Sequence, residues 1–482
     1  MALLHIAPLS DLLTHFRYHL NLRSQEGHYH SLILFRLSSE LGRESDNGES
    51  TLLSTTSGNA GSNQRQIYVM ESTCPHLGAD LSHAEIEECE TSVVAVCPWH
   101  RYDFDLKTGK SETGLRACTY SVEIKKDPED GLEKVFMEAP EGGSNWRLVE
   151  LRPVSEEFAD PPLPVPTQSA PQVLSTEVRV VEPLVPTNQT PTTLMQWAVL
   201  ILNTPNPTLK VERTRHAVHL FRTGKLASIG HKSPNAPRPP DIPPREDSYS
   251  KNTVDPAKVK SRKNRAVMLH ALANIEQWAI DLAWDIMARF GPAHPDLPPA
   301  FFSDFAKMAL DESKHFSLLT SRLASLSPST PYGSMPVHAS LWESATVTSD
   351  SLRARLAIIH LVHEARGLDV NPATIERFRK AGDTETVKVM EIIHADEVTH
   401  VTSGHRWFTW ICGQGDVDPI TAFREEVKKG WRGDVKGPFN VEDREKAGLT
   451  PPFYEGLRGA MGLVEAEIRD SIAAVAVEYD RR

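Results

Sequence analysis

Ten side chains in this sequence are of kinds and spacings that bind metal ions. Four lie in two short limbs, Cys74-Pro-His76 and Cys97-Pro-Trp-His100. Each limb offers one thiolate and one imidazole. That set suits a [2Fe–2S] cluster with one iron on two thiolates and the other on two imidazoles. A structural zinc ion also accepts two cysteines and two histidines. A zinc finger, however, places both cysteines before both histidines, whereas each limb here mixes the two.

The other six lie in the second half. Glu276 shares a helical stripe with Leu269, Leu272, Ala279, Ala283 and Phe290. Glu312 and His315 fall on a seam with Phe301, Phe305, Met308 and Leu319. Glu364 shares a face with Leu361 and Leu368, and Glu397 and His400 join Met390, Trp407 and Ile411. Buried carboxylates are costly unless paired or metal-bound. Single glutamates on two helices, with Glu-x-x-His on two others, make the di-iron carboxylate pattern of helical bundles. The longer connection between Glu312 and Glu364, containing LSPSTPYGSMP, fits the one long crossover of that topology. Asp311, Asp396, His363 and His394 are the expected supporting residues, since a ligand imidazole donates its other nitrogen to an acceptor. Asp281 and Asp285 lie off the Glu276 face and are expected to be solvated or paired with bases.

The elements that must hold these groups divide the chain. A length of 482 residues calls for two or three domains. Runs such as SLILFRLS, QIYVM, SVVAV and YDFDLKTGK read as short strands and place an all-β domain at 25–150. The tract 44–64, rich in Ser, Gly, Asn and Thr, reads as a disordered hairpin loop. Prolines crowd 151–192, which reads as an extended linker. From 193 to 430 the pattern is helical, opening with a short helix at 193–203 and a basic stretch near 209–227; a C-terminal extension follows at 431–482. A proline-rich strap spans 234–245. The basic run 258–265 is read as a solvated helix lead-in. Five cysteines without a secretory leader argue for a reducing compartment, with Cys89, Cys118 and Cys412 as packed thiols. The longest apolar run, Leu194 to Leu202, is too short to span a bilayer. A net charge of −12 weighs against nucleic acid as a partner. A cytoplasmic location is expected; a mitochondrial one stays open.

The first segment, CPHLGAD and CPWHRYDFD included, resembles the Rieske ferredoxin family over residues 25–150. In mitochondrial bc-complex Rieske proteins each limb carries a further cysteine; Ala79 and Pro98 stand there in this chain. The resemblance is therefore closer to the ferredoxin and oxygenase branch, and implies an electron donor. Arg101 departs from that branch, which usually has glycine at its position. Residues 193–430 resemble a family of uncharacterised ferritin-like proteins of bacteria and fungi through HALANIEQWAIDLAWD, DESKHFSLL, YGSMP, HEARGLDV and DEVTHV. That resemblance implies an all-α ferritin-like four-helix bundle with a di-iron centre, and no substrate.

Together these readings predict an oxygen-dependent oxidoreductase resembling a monooxygenase. The Rieske cluster would feed electrons to two irons held by Glu276, Glu312, His315, Glu364, Glu397 and His400. Expected partners are an external reductase, a small-molecule substrate and O2, with self-association also open. A ferroxidase, a tRNA-nucleoside hydroxylase and a plain electron carrier are the alternatives.

Overall fold

The computed structural model describes residues 3–13, 15–37, 66–89, 92–128, 131–154, 182–246 and 262–460. The tract 44–64 and most of the proline-rich linker lie outside the described residues, as do 258–261 and 461–482. The chain forms two compact units, Met1–Ser155 and Glu156–Arg482.

In the first unit, β1 (Leu3–Pro8), β9 (Val122–Lys126) and β10 (Glu133–Glu138) make a three-stranded sheet in the order β1-β10-β9. A five-stranded antiparallel sheet joins β2 (Arg17–Arg23), β3 (Tyr29–Leu37), β4 (Gln66–Glu71), β8 (Thr119–Tyr120) and β11 (Arg147–Pro153) in the order β11-β2-β3-β4-β8. The β unit thus begins well before residue 25. The run SLILF shows why β3 is apolar throughout. Leu32 and Leu34 point into one core with Leu20, Leu22, Val135 and Met137. Ile33 and Phe35 point into a second core with Met70, Leu81, Phe104, Cys74 and Cys97. A strand buried on both faces has no polar alternation. The second core rests on a small sheet of β5 (Glu85–Glu88), β6 (Val93–Val96) and β7 (Asp103–Asp105).

The helical unit opens with α1 (Leu194–Leu202) and α2 (Pro207–Arg222). Thr193 and Gln196 close a capping box on α1, while Asn206 caps α2 ahead of Pro207. Such caps contribute about 1 kcal/mol each. Three long helices follow: α3 (Arg262–Phe290), α4 (Pro299–Leu326) and, after the short α5 (Ser340–Val347), a composite one. The composite runs from α6 (Leu352–Ala357) through a π-helical segment, Ile358–His363, into α7 (Glu364–Lys380). The longest helix, α8 (Thr384–Gln414), starts at Asp383, whose carboxylate accepts from Thr386 N and pairs with Arg265 and Arg322 at 2.8 Å each. Arg265, from the basic run, is thereby a structural partner. Helix α3 packs along α4, α7 along α8, and α4 against α8. The chain closes with α9 (Pro419–Gly430), a hairpin of β12 (Arg432–Asp434) and β13 (Arg458–Ala460), and the short α10 (Val441–Lys446) and α11 (Pro451–Tyr454).

Asp281 and Asp285 are fully buried, so of the two expected fates, solvation or pairing with bases, they take the second. Asp281 pairs with buried Lys210 of α2, and Asp285 with Arg355 of α6 and with Arg289 at 2.7 Å. Removing one member of such a pair leaves a buried charge, at a cost of about 3–5 kcal/mol. These pairs lock α2, α3 and α6 together and hold Glu276 in register.

Candidate metal centres

The two cysteine–histidine limbs are built alike. Cys74 lies beyond the end of β4, and its carbonyl accepts from Gly78 N at 2.8 Å. Cys97 follows β6 directly, and its carbonyl accepts from Arg101 N at 2.9 Å. Both donors sit in the left-handed region, Gly78 at φ 77° and Arg101 at φ 54°. Glycine takes that conformation freely; a residue with a Cβ pays for it in steric strain. Arg101 is held there by Glu85 and Glu87 of β5, each at 2.8 Å.

The thiols and imidazoles separate into pairs. Cys74 and Cys97 are buried in the second core. The hydrogen bond between the two thiols splits them. Cys97 is drawn down to about 6, and Cys74 is pushed far above the usual thiol range, with burial adding to the rise. His76 and His100 stand edge to face with ring centroids 4.8 Å apart, and Tyr102 packs 4.7 Å from His76. Buried His76 Nδ1 has no hydrogen-bond partner among the described residues. Among those residues, the groups whose ligand atoms lie within 4.8 Å of one another are both in the helical unit; the four limb residues form no such group. One tetrahedral zinc ion needs its ligands closer than that, whereas a two-iron cluster separates cysteine from histidine. The residues fit the cluster. His100 is exposed while the cysteines are inside, so the imidazole side faces outward. Of the three cysteines outside the limbs, Cys89 and Cys118 are exposed, contrary to the expected packing, and Cys412 is buried. Burial pushes the Cys412 thiol up to about 11.

The six helical residues converge. Ligand atoms of Glu276, Glu312, His315 and Glu397 lie within 4.8 Å of one another, and so do those of Glu312, Glu364, Glu397 and His400. The two sets share Glu312 and Glu397, as two ions bridged by two carboxylates require. His315 Nδ1 is 3.3 Å from Glu312 Oε2 and 3.4 Å from Glu276 Oε2. His400 Nδ1 is 3.0 Å from Glu312 Oε1 and 3.7 Å from Glu397 Oε2. Glu312 Oε1, Glu397 Oε2 and His400 Nδ1 are buried and crowd together at these distances without the geometry of a hydrogen bond among the described residues. Buried polar atoms without well-formed bonds are costly. Burial, then the neighbouring Glu312 and Glu397 respectively, push Glu276 and Glu364 well above the usual carboxylate range. Against the opposing effect of burial, the carboxylate neighbours in turn raise His315 and His400 well above the usual imidazole range, so protons share this cluster where two divalent ions would replace them. The donor set fits such a pair.

The outer nitrogens are held crosswise. His315 on α4 meets Asp396 of α8 through Nε2 at 2.9 Å, and His400 on α8 meets Asp311 of α4 through Nε2 at 3.4 Å. Each aspartate precedes the glutamate of its own helix, so the two Asp-Glu-x-x-His stretches brace each other. Buried Lys314 ties the aspartates together, at 2.5 Å from Asp396 and 3.5 Å from Asp311. Lys314 escaped the sequence reading, although its spacing from Asp311 was a usable signal. The other two expected supports are elsewhere. His363 packs its ring 5.0 Å from Trp431, and His394 pairs with Asp443 at 3.1 Å. The π-helical turn just before Glu364 also went unread, because no local residue pattern marks it. There α8 comes so close that a Cβ on Gly404 would lie 2.3 Å from His360 O.

Comparison with known proteins agrees with this division. Residues 60–125 match the model of the soluble Rieske-type ferredoxins, so the β unit contains a Rieske-type domain, which implies a [2Fe–2S] cluster. Residues 203–455, more than half of the chain, match the family described as a protein of unknown function, DUF455, and the chain belongs to that family. An uncharacterized protein of Haemophilus influenzae is 37% identical over 188 residues, covering 38% of this chain and 65% of that one. The chain therefore spans just under two thirds of that relative. A solved structure described as an NADH-dependent nitrite reductase small subunit from Mycobacterium tuberculosis is 13% identical. It covers 29% of this chain and 97% of its own, at a TM-score of 0.19. Another, described as the small subunit of an NADPH nitrite reductase, is 14% identical and covers 29% of this chain and all of its own, also at 0.19. Scores that low leave the fold to be read from the strand order and the two limbs. Among the described residues, no helix is long and apolar enough to cross a membrane.

Proposed function

We propose that the chain is an iron-dependent oxidoreductase in which the Rieske cluster feeds electrons to a di-iron centre in a ferritin-like bundle, for O2-dependent oxidation or hydroxylation of a small molecule. One observation carries this reading: two four-ligand sets sharing Glu312 and Glu397. When bound, a pair of irons supplies redox chemistry with dioxygen. The chain's own residues do the rest. Glu276 and His315 complete one ligand set, Glu364 and His400 the other. Asp396 and Asp311 accept from the imidazole Nε2 atoms and leave Nδ1 free for metal. Lys314 offsets the charge of those aspartates. Phe301, Phe305 and Trp407, on the two helices that carry the Glu-x-x-His stretches, form a buried aromatic cluster, with Phe301 4.7 Å from Phe305 and 5.3 Å from Trp407. Glu364 is the ligand with the greatest exposure, so substrate would approach there.

His76 and His100, on the outward side of the cluster, are the electron exit. Fusion of donor and acceptor in one chain raises their effective concentration. The sequence holds no Gly-x-Gly-x-x-Gly fingerprint for a nicotinamide or flavin, so an external reductase fills the cluster.

Reoxidation of the cluster tests the proposal. The full chain, loaded with iron and reduced without oxygen, is mixed with O2 and frozen at intervals for EPR. Rapid loss of the reduced Rieske signal is expected in the parent protein, and slow loss in Glu312→Ala. Equal rates would make the chain a plain electron carrier. Ferric mineral accumulating under added ferrous iron, with the same rate in both proteins, would also refute it.

A further inference from the structure

The C-terminal hairpin encloses a pocket on the outer side of the helix that carries Glu364. The cavity measures about 280 Å³, and its walls include Val362 and Arg366 from the helix and Trp431, Arg432 and Lys436 from the hairpin. Volume alone would not make it a site. Its charge is uneven. Arg444 at its rim is satisfied by Asp369 through two bonds of 2.8 and 2.7 Å. Asp434 also lines the cavity and pairs at 3.5 Å with Arg458, which does not. Among the described residues, Arg366, Arg432 and Lys436 have no carboxylate partner, and the bond shown for Arg366 is to Lys436 O at 3.1 Å. The indole N–H of Trp431 is buried and has no acceptor among the described residues. Surface arginines usually point into water. Here three cations without a carboxylate partner share one concavity whose two carboxylates, Asp369 and Asp434, are already paired with Arg444 and Arg458, so cationic donors are in excess.

We propose that this pocket binds a small anion, a phosphate- or carboxylate-bearing metabolite, and that its occupant stabilises the π-helical turn ahead of Glu364. Guanidinium forks and an ammonium recognise either group. The occupant is not the oxidised substrate. Leu361, Glu364 and Leu368 face inward, whereas Val362, Arg366 and Asp369 line the pocket on the other side. The link to the turn is direct. Val362 belongs both to the π-helical segment and to the pocket wall. A Cβ on Gly430 would lie 3.1 Å from Ile358, and Trp431 packs on His363. The junction of α9 with β12, residues Gly430 and Trp431, thus rests on both ends of the turn. π-Helical turns are strained relative to α-helix and cluster at functional sites. An anion drawing Arg366 toward Arg432 and Lys436 holds the hairpin against that turn. The proposal does not depend on what the metal pair does.

Calorimetry on the full, iron-loaded chain tests it, with inorganic phosphate and succinate as probes. Saturable binding of one of them is expected, at least tenfold weaker in the double variant Arg432→Gln, Lys436→Gln. Both side chains are exposed, so the variant's melting curve should match the parent's and serves as the folding control. Whichever probe binds identifies the phosphate or carboxylate class. Hydrogen exchange across residues 358–366 should slow when the probe saturates. No binding of either probe, or equal binding by the variant, would overturn the site. Unchanged exchange at saturation would overturn its effect on the turn.

Discussion

The two candidate metal centres are built on opposite plans. In the β unit the ligands are two or three residues apart, on loops closed by left-handed residues, with imidazoles toward solvent. In the helical unit they come from four separate helical stretches, spaced across more than a hundred residues, and their outer partners are supplied crosswise. A loop-borne site can face a donor. A helix-borne site is rigid and dry, and its geometry depends on the packing of the entire unit.

The largest effect should come from breaking the shared ligands. Glu312 belongs to both sets, so Glu312→Ala should lose both helical irons, whereas Glu276→Ala should lose one, with the Rieske EPR signal intact in each. Iron quantitation per chain decides this; equal losses would show that the sets are not bridged.

Acid should distinguish the units next. Burial pushes His360 down to about 3 and His363 down to about 4. Both are neutral in the folded protein, while the unfolded chain binds protons at about 6.5. The unfolded state then holds more protons below pH 6.5, and stability falls as pH drops toward 4. Each group loses about 1.4 kcal/mol per pH unit in that window. Denaturant melts of the helical transition should show this contribution as a slope that His360→Leu makes less steep toward acid.

Gly404→Ala should cost about 1–3 kcal/mol, the usual range for forcing atoms into a packed contact. A Cβ added to Gly413, in the same helix, would meet nothing within 4 Å, so Gly413→Ala should stabilise by about 0.5–1 kcal/mol. Thermal melts of the pair separate the close approach at His360 from general helix propensity.

The smallest effect belongs to the β unit. Arg101→Gly relieves a left-handed backbone but forfeits the contacts to Glu85 and Glu87. These oppose each other, so stability should barely change. Loss of a cation beside His100 should lower the cluster potential slightly, as voltammetry would show; a rise would contradict the placement.

How much of this was legible follows the same division. The limbs were readable because thiolates and imidazoles two and three residues apart have few other uses. The convergence of the six helical residues was readable because a charged residue breaks an apolar seam visibly. The crosswise pairing of Asp311 and Asp396 follows from their place beside the glutamates, but which imidazole each serves depends on how α4 and α8 pack. His363 and His394 looked equivalent to those aspartates in sequence, yet they point to Trp431 and Asp443 on the C-terminal segments. The burial of Asp281 and Asp285 depended on Lys210 and Arg355, each about seventy residues away. The π-helical turn is a register effect of packing, without a residue signature.

Mössbauer spectroscopy of the full chain, enriched in iron-57 and quantified for metal, tests the central claim most directly. The account predicts four irons per chain: two in a cluster with one thiolate-bound and one imidazole-bound site, and two in an oxygen- and nitrogen-ligated coupled pair. Two irons per chain, with zinc or manganese among the helical glutamates, would contradict it.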